Sequence, residues 1–234
     1  MKFRQVLIYF LFMTSCKENP ETDLHVGKVI SEFKSFKGDS LVFSSKINIW
    51  YKPGYAIEEL GITTISTDTN RHSKVIYSPT KYLFIDLKRK VFSEYDSFKP
   101  SAKKLKVYSQ SDSTLIEGGW NFYWDKNVEI QGKISTLPDT IENGKLYERI
   151  EFYQKGFDST RFYCIGYIDC QRSNMFSYMK VFIPGKSNCP VVKLIMIEKK
   201  NNKKIMELSL IQQSNELSNT EQLIFSKWSK NSNL

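Results

Sequence analysis

The sequence predicts a mainly β fold, an antiparallel meander of strands with an N-terminal amphipathic helix and one further short helix. Aromatic residues make up 14% of the chain, and aromatic side chains favour strands and fill large cores. Apolar and polar residues alternate over most of the chain, with the period of two that is typical of half-buried strands. Short polar turns separate these alternating stretches.

The first predicted element is an amphipathic helix over residues 23–37. Its apolar side chains recur at helical spacing, at Val26, Ile30, Phe33 and Phe36. Asp23 is a candidate N-cap and Gly38 a candidate stop. The spacing predicts that one stripe of this helix packs onto a sheet.

Strands follow from residue 41 onward. Period-two alternation places one set of side chains on a shared face, namely Leu41, Phe43, Ile47, Ile49 and Tyr51. A turn at Lys52-Pro53-Gly54 leads into a second strand that begins at Tyr55. Because neighbouring side chains on a strand point to opposite faces, Glu58 and Glu59 are not expected to act as a carboxylate pair.

The second half of the chain continues the meander. Ala102 to Tyr108 forms the further short helix in this interpretation. Strand-like stretches follow at residues 128–134, 146–153, 161–169, 176–183, 191–198 and 205–213. Asn143-Gly144 is typical of a tight hairpin turn, and residues 223–228 fit either a strand or a frayed helix.

One aromatic cluster suggests a binding function. On a strand, Trp120, Phe122 and Trp124 would line up on one face. Stacked aromatic rings hold sugar rings or apolar chains, and packed cores use the same pattern. Both interpretations stay open.

The first sixteen residues predict export. Lys2 and Arg4 precede the apolar run from Val6 to Met13, which is too short to span a bilayer. Leu11-Phe12-Met13-Thr14-Ser15-Cys16 resembles the lipobox of bacterial lipoproteins. The resemblance implies cleavage after residue 15 and a lipidated, palmitate-bearing Cys16. An ordinary signal peptide with a chance cysteine is the alternative.

The sequence therefore divides into a signal peptide at 1–15, a lipidated cysteine with its tether at 16–22, and a single β-rich domain at 23–234. Lys17-Glu18 in the tether resembles the export signal of surface lipoproteins of the Bacteroidetes group. The expected location is the outer membrane through the lipid anchor, on a face that the sequence leaves open.

The net charge of +9 bears on partners. In an exported protein, anionic lipid headgroups or acidic glycans are more available to a basic surface than nucleic acid is. No nucleic-acid partner is therefore expected, and a solvated basic surface is the simpler alternative.

The remaining cysteines and histidines exclude most site chemistry. With Cys16 lipidated, Cys164, Cys170 and Cys189 remain, and Cys170–Cys189 is the favoured disulfide because the pair flanks a hairpin. No CxxC motif occurs, and only two histidines are present, so neither a metal nor a cofactor is expected. No catalytic motif such as GxSxG or HExxH appears, so no enzymatic activity is expected.

One block resembles a known architecture. The order of an N-terminal helix, a strand ending at Lys52-Pro53-Gly54, a strand carrying an acidic residue, and a strand pair is similar to the LolA/LolB-type lipoprotein carriers. The likeness covers roughly residues 24–96. It implies an antiparallel curved sheet or half-barrel that holds acyl chains. The same composition would also build a closed barrel or a sandwich.

The first functional hypothesis is a cell-envelope lipoprotein that binds a lipid or another amphipathic ligand on a concave sheet. The candidate ligand-binding residues are Phe43, Ile47, Ile49, Tyr82, Phe84, Trp120, Phe122 and Trp124. The alternative is a non-catalytic surface lipoprotein that contacts glycans or another envelope protein.

Overall fold

The computed structural model of the chain describes residues 25–67, 73–89, 91–109, 130–155, 161–172, 175–177, 180–181, 189–199 and 202–231. The predicted signal peptide, the lipidated cysteine and the tether lie outside these residues. No helix in the described ranges is long and apolar enough to span a membrane.

Strands dominate the described residues, and one helix follows the last of them. The strands are β1 (Gly27–Lys37), β2 (Ser40–Lys52), β3 (Tyr55–Thr67), β4 (Ser73–Asp86), β5 (Val91–Tyr95), β6 (Lys104–Ser109), β7 (Ile130–Glu142), β8 (Lys145–Lys155), β9 (Arg161–Ile168), β10 (Lys180–Val181), β11 (Cys189–Glu198) and β12 (Lys203–Ser214). The helix is α1 (Asn219–Asn231).

All strands belong to one antiparallel sheet. Its order is β6-β5-β4-β3-β2-β1-β12-β11-β9-β8-β7, with the short β10 paired to β11. The first and last strands of the chain, β1 and β12, pair in the middle of this order. β6 and β7 stand at its two ends, so the ladder of the described strands is open.

The register divides the side chains of the sheet into two faces, because directly paired residues of an antiparallel ladder point the same way. Face 1 carries a row that crosses β1 to β5 through Val29, Ile49, Glu58, Leu83 and Glu94. Face 2 carries the next row, through Lys28, Trp50, Ile57, Phe84 and Ser93.

Helix α1 covers face 2 with its apolar stripe. Ile224, Phe225 and Trp228 are fully buried against the side chains of β2 to β5. The Trp228 ring stacks on Tyr95 with ring centroids 3.9 Å apart, and its edge meets Phe84 at 6.2 Å. Aromatic packing of this kind buries large apolar areas and fixes the helix on the sheet.

The predicted N-terminal helix is wrong. Residues 27–37 form β1, which is paired with β2 on one side and with β12 on the other over nearly its whole length. Apolar residues on both faces of a central strand produce a spacing that also fits a helix. The two ladders decide the conformation, since tertiary pairing readily outweighs local propensity.

The predicted short helix over Ala102–Tyr108 is also wrong. Lys104–Ser109 is β6, an edge strand whose residues pair with β5. The helix of the described chain lies instead at the C-terminus, where the sequence left strand and helix open.

The Asn-Gly hairpin turn is confirmed between β7 and β8. Asn143 and Gly144 both have positive φ, at 51° and 76°, and the flanking residues Glu142 and Lys145 are paired. Two positive φ values characterise the turn whose twist matches the flanking strands.

Candidate ligand-binding face

Face 1 is apolar across the whole width of the sheet. In the order of the sheet, every strand from β6 at one end through β1 and β12 to β8 carries at least one buried apolar side chain on this face. They include Tyr108, Phe92, Leu83, Ala56, Ile49, Val29, Leu210, Met196, Cys164 and Ile150. Ile134 of β7 packs against this set and extends it to the far edge. Such a face is a large apolar surface that must be covered to be stable in water.

Burial along face 1 is uneven. Val29 and Ile49 are 0% and 1% exposed, whereas five apolar side chains on neighbouring strands remain half-buried. These five, which we call the apolar patch, are Phe43 of β2, Phe33 of β1, Met206 and Leu208 of β12, and Leu194 of β11.

The register makes the apolar patch continuous. Phe33, Leu208 and Leu194 form one row across β1, β12 and β11. The rings of Phe33 and Phe43 lie 6.0 Å apart. The row continues to Gly166 of β9, where an added Cβ would lie 3.1 Å from the Ile150 side chain.

The fully buried end of face 1 is covered by residues 175–177, which lie between the two cysteines of a disulfide. Cys170 is bonded to Cys189, with Cα atoms 4.7 Å apart, which is the pair that the sequence favours. The Phe176 ring packs 6.1 Å from that of Tyr51, and the Ser177 hydroxyl donates to the Val191 carbonyl at 2.8 Å. Packing and hydrogen bonds thus seat this segment on face 1.

Two carboxyl groups lie in the same row of face 1 in different surroundings. Glu94 accepts a hydrogen bond from the Tyr108 hydroxyl at 2.9 Å and pairs with the Lys81 ammonium at 3.3 Å. Glu58 is 4% exposed, and its Oε1 has no hydrogen-bond partner. Burial raises the pKa of Glu58 to about 8, because a charged carboxylate is poorly solvated there.

The structure divides the predicted ligand-binding residues. Phe43, Ile47 and Ile49 lie on face 1, as their shared parity predicted. Tyr82 and Phe84 lie on face 2 beneath α1, so they do not join the other three. Tyr82 and Phe84 are also two residues apart and share a face, but the register of β4 with β3 places that face beneath α1.

The aromatic cluster of Trp120, Phe122 and Trp124 lies outside the described residues, and its role stays a prediction. In the described part of the chain, no group of three or more His, Cys, Asp or Glu side chains could hold a metal ion.

Sequence reasoning missed five members of the site, namely Glu58 and four residues of the apolar patch, Phe33, Leu194, Met206 and Leu208. Glu58 was set aside because it cannot pair with Glu59, and the structure confirms that the two carboxyls point to opposite faces. Phe33 was assigned to a helix. A charged residue within an alternating apolar set was the available signal for Glu58.

Comparison with known proteins assigns no family. No protein-family model matches the chain, and no curated protein sequence matches it significantly. Among solved structures, lipoprotein LppX of Mycobacterium tuberculosis is similar over 83% of this chain and 90% of its own, at 11% identity and a TM-score of 0.38. LprF of Mycobacterium bovis matches over 86% and 92%, at 8% identity and a TM-score of 0.40.

A LolA superfamily protein of Nitrosomonas europaea also matches, over 87% of this chain and 94% of its own. The identity is 9% and the TM-score 0.30. TM-scores this low mark a loose geometrical likeness.

Proposed function

We propose that this protein is a lipid-anchored protein of the outer membrane that binds an apolar or amphipathic ligand on face 1. The observation that carries the proposal is the half-buried apolar patch of Phe33, Phe43, Leu194, Met206 and Leu208. A contiguous apolar surface on a rigid sheet is the usual setting for a ligand with acyl chains.

The two faces of the sheet differ over β2 to β5. There α1 covers face 2, and its Trp228, Phe225 and Ile224 are fully buried. Face 1 keeps partly exposed apolar area at the patch, and each Å² that a ligand covers contributes about 25 cal/mol. An acyl chain is the ligand whose shape and chemistry suit such a surface.

Native mass spectrometry of the full chain purified from an envelope fraction tests the proposal. We expect a bound lipid that survives purification. Leu208→Gln in the apolar patch should lower the bound fraction severalfold. Leu223→Gln should leave it unchanged, because Leu223 is an apolar residue of α1 that is already 48% exposed.

A wild-type chain that carries no lipid and takes up no fluorescent fatty acid would contradict the proposed function. An equal loss of bound lipid in Leu208→Gln and Leu223→Gln would show that the apolar patch is not the binding surface.

A further inference from the structure

The sheet splits where β2 and β3 part. These strands are paired only from Ile49–Glu58 to Lys52–Tyr55. Beyond that point, residues 40–48 of β2 stay paired with β1, and residues 59–67 of β3 stay paired with β4. Glu58 occupies the last paired position, at the apex of the split.

Polar side chains complete the backbone hydrogen bonding at the apex. The Glu59 carboxylate accepts from the backbone nitrogen of Asn48 at 3.1 Å and from its side-chain amide at 2.9 Å. The Tyr77 hydroxyl donates to the Glu59 carbonyl at 3.3 Å. The Asn48 N–H and the Glu59 carbonyl at the apex therefore have partners, as buried backbone groups require.

A bulge bends the β3–β4 arm just past the apex. The register between these strands shifts between Leu60 and Gly61, and bulges bend a strand and increase its twist. Gly61 is required there, since an added Cβ would lie 2.5 Å from the Tyr77 ring and from the Ser78 carbonyl.

Exposed apolar side chains lie on the two strands that part. They are Leu41 and Val42 of β2, each 54% exposed, and Ile62 of β3 at 62%. Single exposed apolar residues are ordinary. These three lie on the strands that border the split, on the same arm as Phe43 of the apolar patch or across from it, and we call them the apolar rim.

Glu58, at the apex of the split, has an unsatisfied oxygen. A buried polar atom without a hydrogen-bond partner destabilises the fold, and a site that breaks the local rules of folding is often functional. Glu94, two strands away in the same row, has both oxygens satisfied by Tyr108 and Lys81. The sheet thus satisfies one carboxyl and leaves the other open.

We propose that the split between β2 and β3 admits an acyl lipid and that Glu58 hydrogen-bonds its neutral polar head, an ester or hydroxyl group. The inference rests on the proposed function and adds the class of the ligand. Phe33 lies about 13 Å along the strands and about 10 Å across them from Glu58, by ordinary strand spacings. One acyl chain bridges that distance.

The chemistry of Glu58 selects the head group. Burial raises the pKa of Glu58 to about 8, so the carboxyl is mostly protonated at pH 7 and both donates and accepts. Lys81 and Glu94, which share face 1 with it, pair with each other. A neutral ester or hydroxyl matches such a group, whereas a fatty-acid carboxylate would bring a second unpaired charge into a buried site.

The test titrates the delipidated full chain with 1-oleoylglycerol and with oleate, by native mass spectrometry. We expect wild type to prefer the glyceride by about threefold to tenfold, the contribution of one neutral hydrogen bond. Glu58→Leu should abolish the preference while oleate still binds. Glu58→Gln should retain it, because the amide also donates and accepts.

Each outcome has one meaning. Equal binding of both lipids by wild type, or a preference that persists in Glu58→Leu, would overturn the role of Glu58 and leave the proposed function standing. Wild type that binds neither lipid would defeat the proposed function itself.

Lysine substitutions test the split as the opening. Val42→Lys and Ile62→Lys should each lower the bound fraction of both lipids severalfold, because a charge on the rim opposes passage of an acyl chain. Ile141→Lys is the matched control, since Ile141 is 71% exposed at the β7–β8 turn, away from the split. Rim variants that load like this control would overturn the assignment of the opening.

Discussion

At the residue scale, Glu58 is the group that we propose contacts the ligand, and its burial has a cost in stability. It lies between Ile49 and Leu83 on face 1, with one oxygen unpartnered. A buried carboxyl in such surroundings keeps its proton, because the charged form loses its hydration. Its ionisation is therefore linked to folding.

The stability of the protein should fall as the pH rises from about 5 to about 8. In the unfolded chain Glu58 ionises near its ordinary value of 4.5, whereas the folded chain holds the proton up to about 8. The folded state binds the extra proton in this window, so raising the pH costs roughly 3 to 5 kcal/mol of unfolding free energy.

Urea denaturation at several pH values measures this dependence. Glu58→Gln should flatten the decline, while Glu59→Gln should keep it. A wild-type unfolding free energy that is constant from pH 5 to pH 8 would show that Glu58 ionises in the folded protein as it does in the unfolded one.

At the scale of elements, hydrogen bonds at the N-terminus of α1 set the residue at which the helix begins. The Ser218 hydroxyl accepts from the backbone nitrogen of Glu221 at 3.3 Å, and the Glu221 carboxylate accepts from the backbone nitrogen of Ser218 at 2.7 Å. This reciprocal pair is a capping box. Glu221 also accepts from the Trp50 indole at 2.6 Å, which ties the start of the helix to face 2.

Glu221 is held in its charged form by these donors. Burial opposes ionisation, but the hydrogen bonds from the Ser218 backbone and the Trp50 indole keep the pKa of Glu221 below its ordinary value. A carboxylate in the first turn also interacts favourably with the helix dipole.

Ser218→Ala should lower the unfolding free energy by about 1 kcal/mol, the usual effect of removing an N-cap hydroxyl. Chemical denaturation monitored by tryptophan fluorescence, to which the buried Trp228 contributes, provides the measurement. Ser226→Ala is the matched control on the exposed middle of the same helix, where alanine is neutral or slightly favourable. Equal effects of the two substitutions would contradict the capping role.

The elements that the sequence predicted differ in how local their signals are. The β7–β8 turn needs only Asn143-Gly144, so it was predictable. The capping box at Ser218 and Glu221 is an equally local signal, because its two residues lie three positions apart. β1 was not predictable from its own residues, because its conformation depends on pairing with β12 at the opposite end of the chain.

At the scale of the whole molecule, the two faces of the sheet differ. Over β2 to β5, face 2 is covered by α1 and supplies a packed core of aromatic side chains. Face 1 keeps a half-buried apolar patch, an orphaned carboxyl and a split edged by apolar side chains. The packing of α1 on face 2 supports the sheet whose face 1 we propose to bind the ligand.

The proposed anchor predicts where the protein is found in the cell. Cys16→Ser should release the chain from the membrane fraction, because stable anchoring of this kind depends on the acyl chains of the cysteine. Fractionation followed by immunoblotting makes the measurement, with Cys164→Ser as the control for loss of a thiol elsewhere. A Cys16→Ser protein that stays in the membrane fraction would contradict the lipid anchor.

The sequence by itself determined the β character of the domain, the hairpin turn at Asn143-Gly144, and the opposite orientation of Glu58 and Glu59. These depend on residue type, local turn geometry and the period of two, which are all properties of neighbouring residues. Only the tertiary structure decided that residues 27–37 are a strand, that Phe84 lies on face 2, and that β2 and β3 part at Glu58. Those outcomes depend on register between distant segments, where a shift of one residue exchanges the faces.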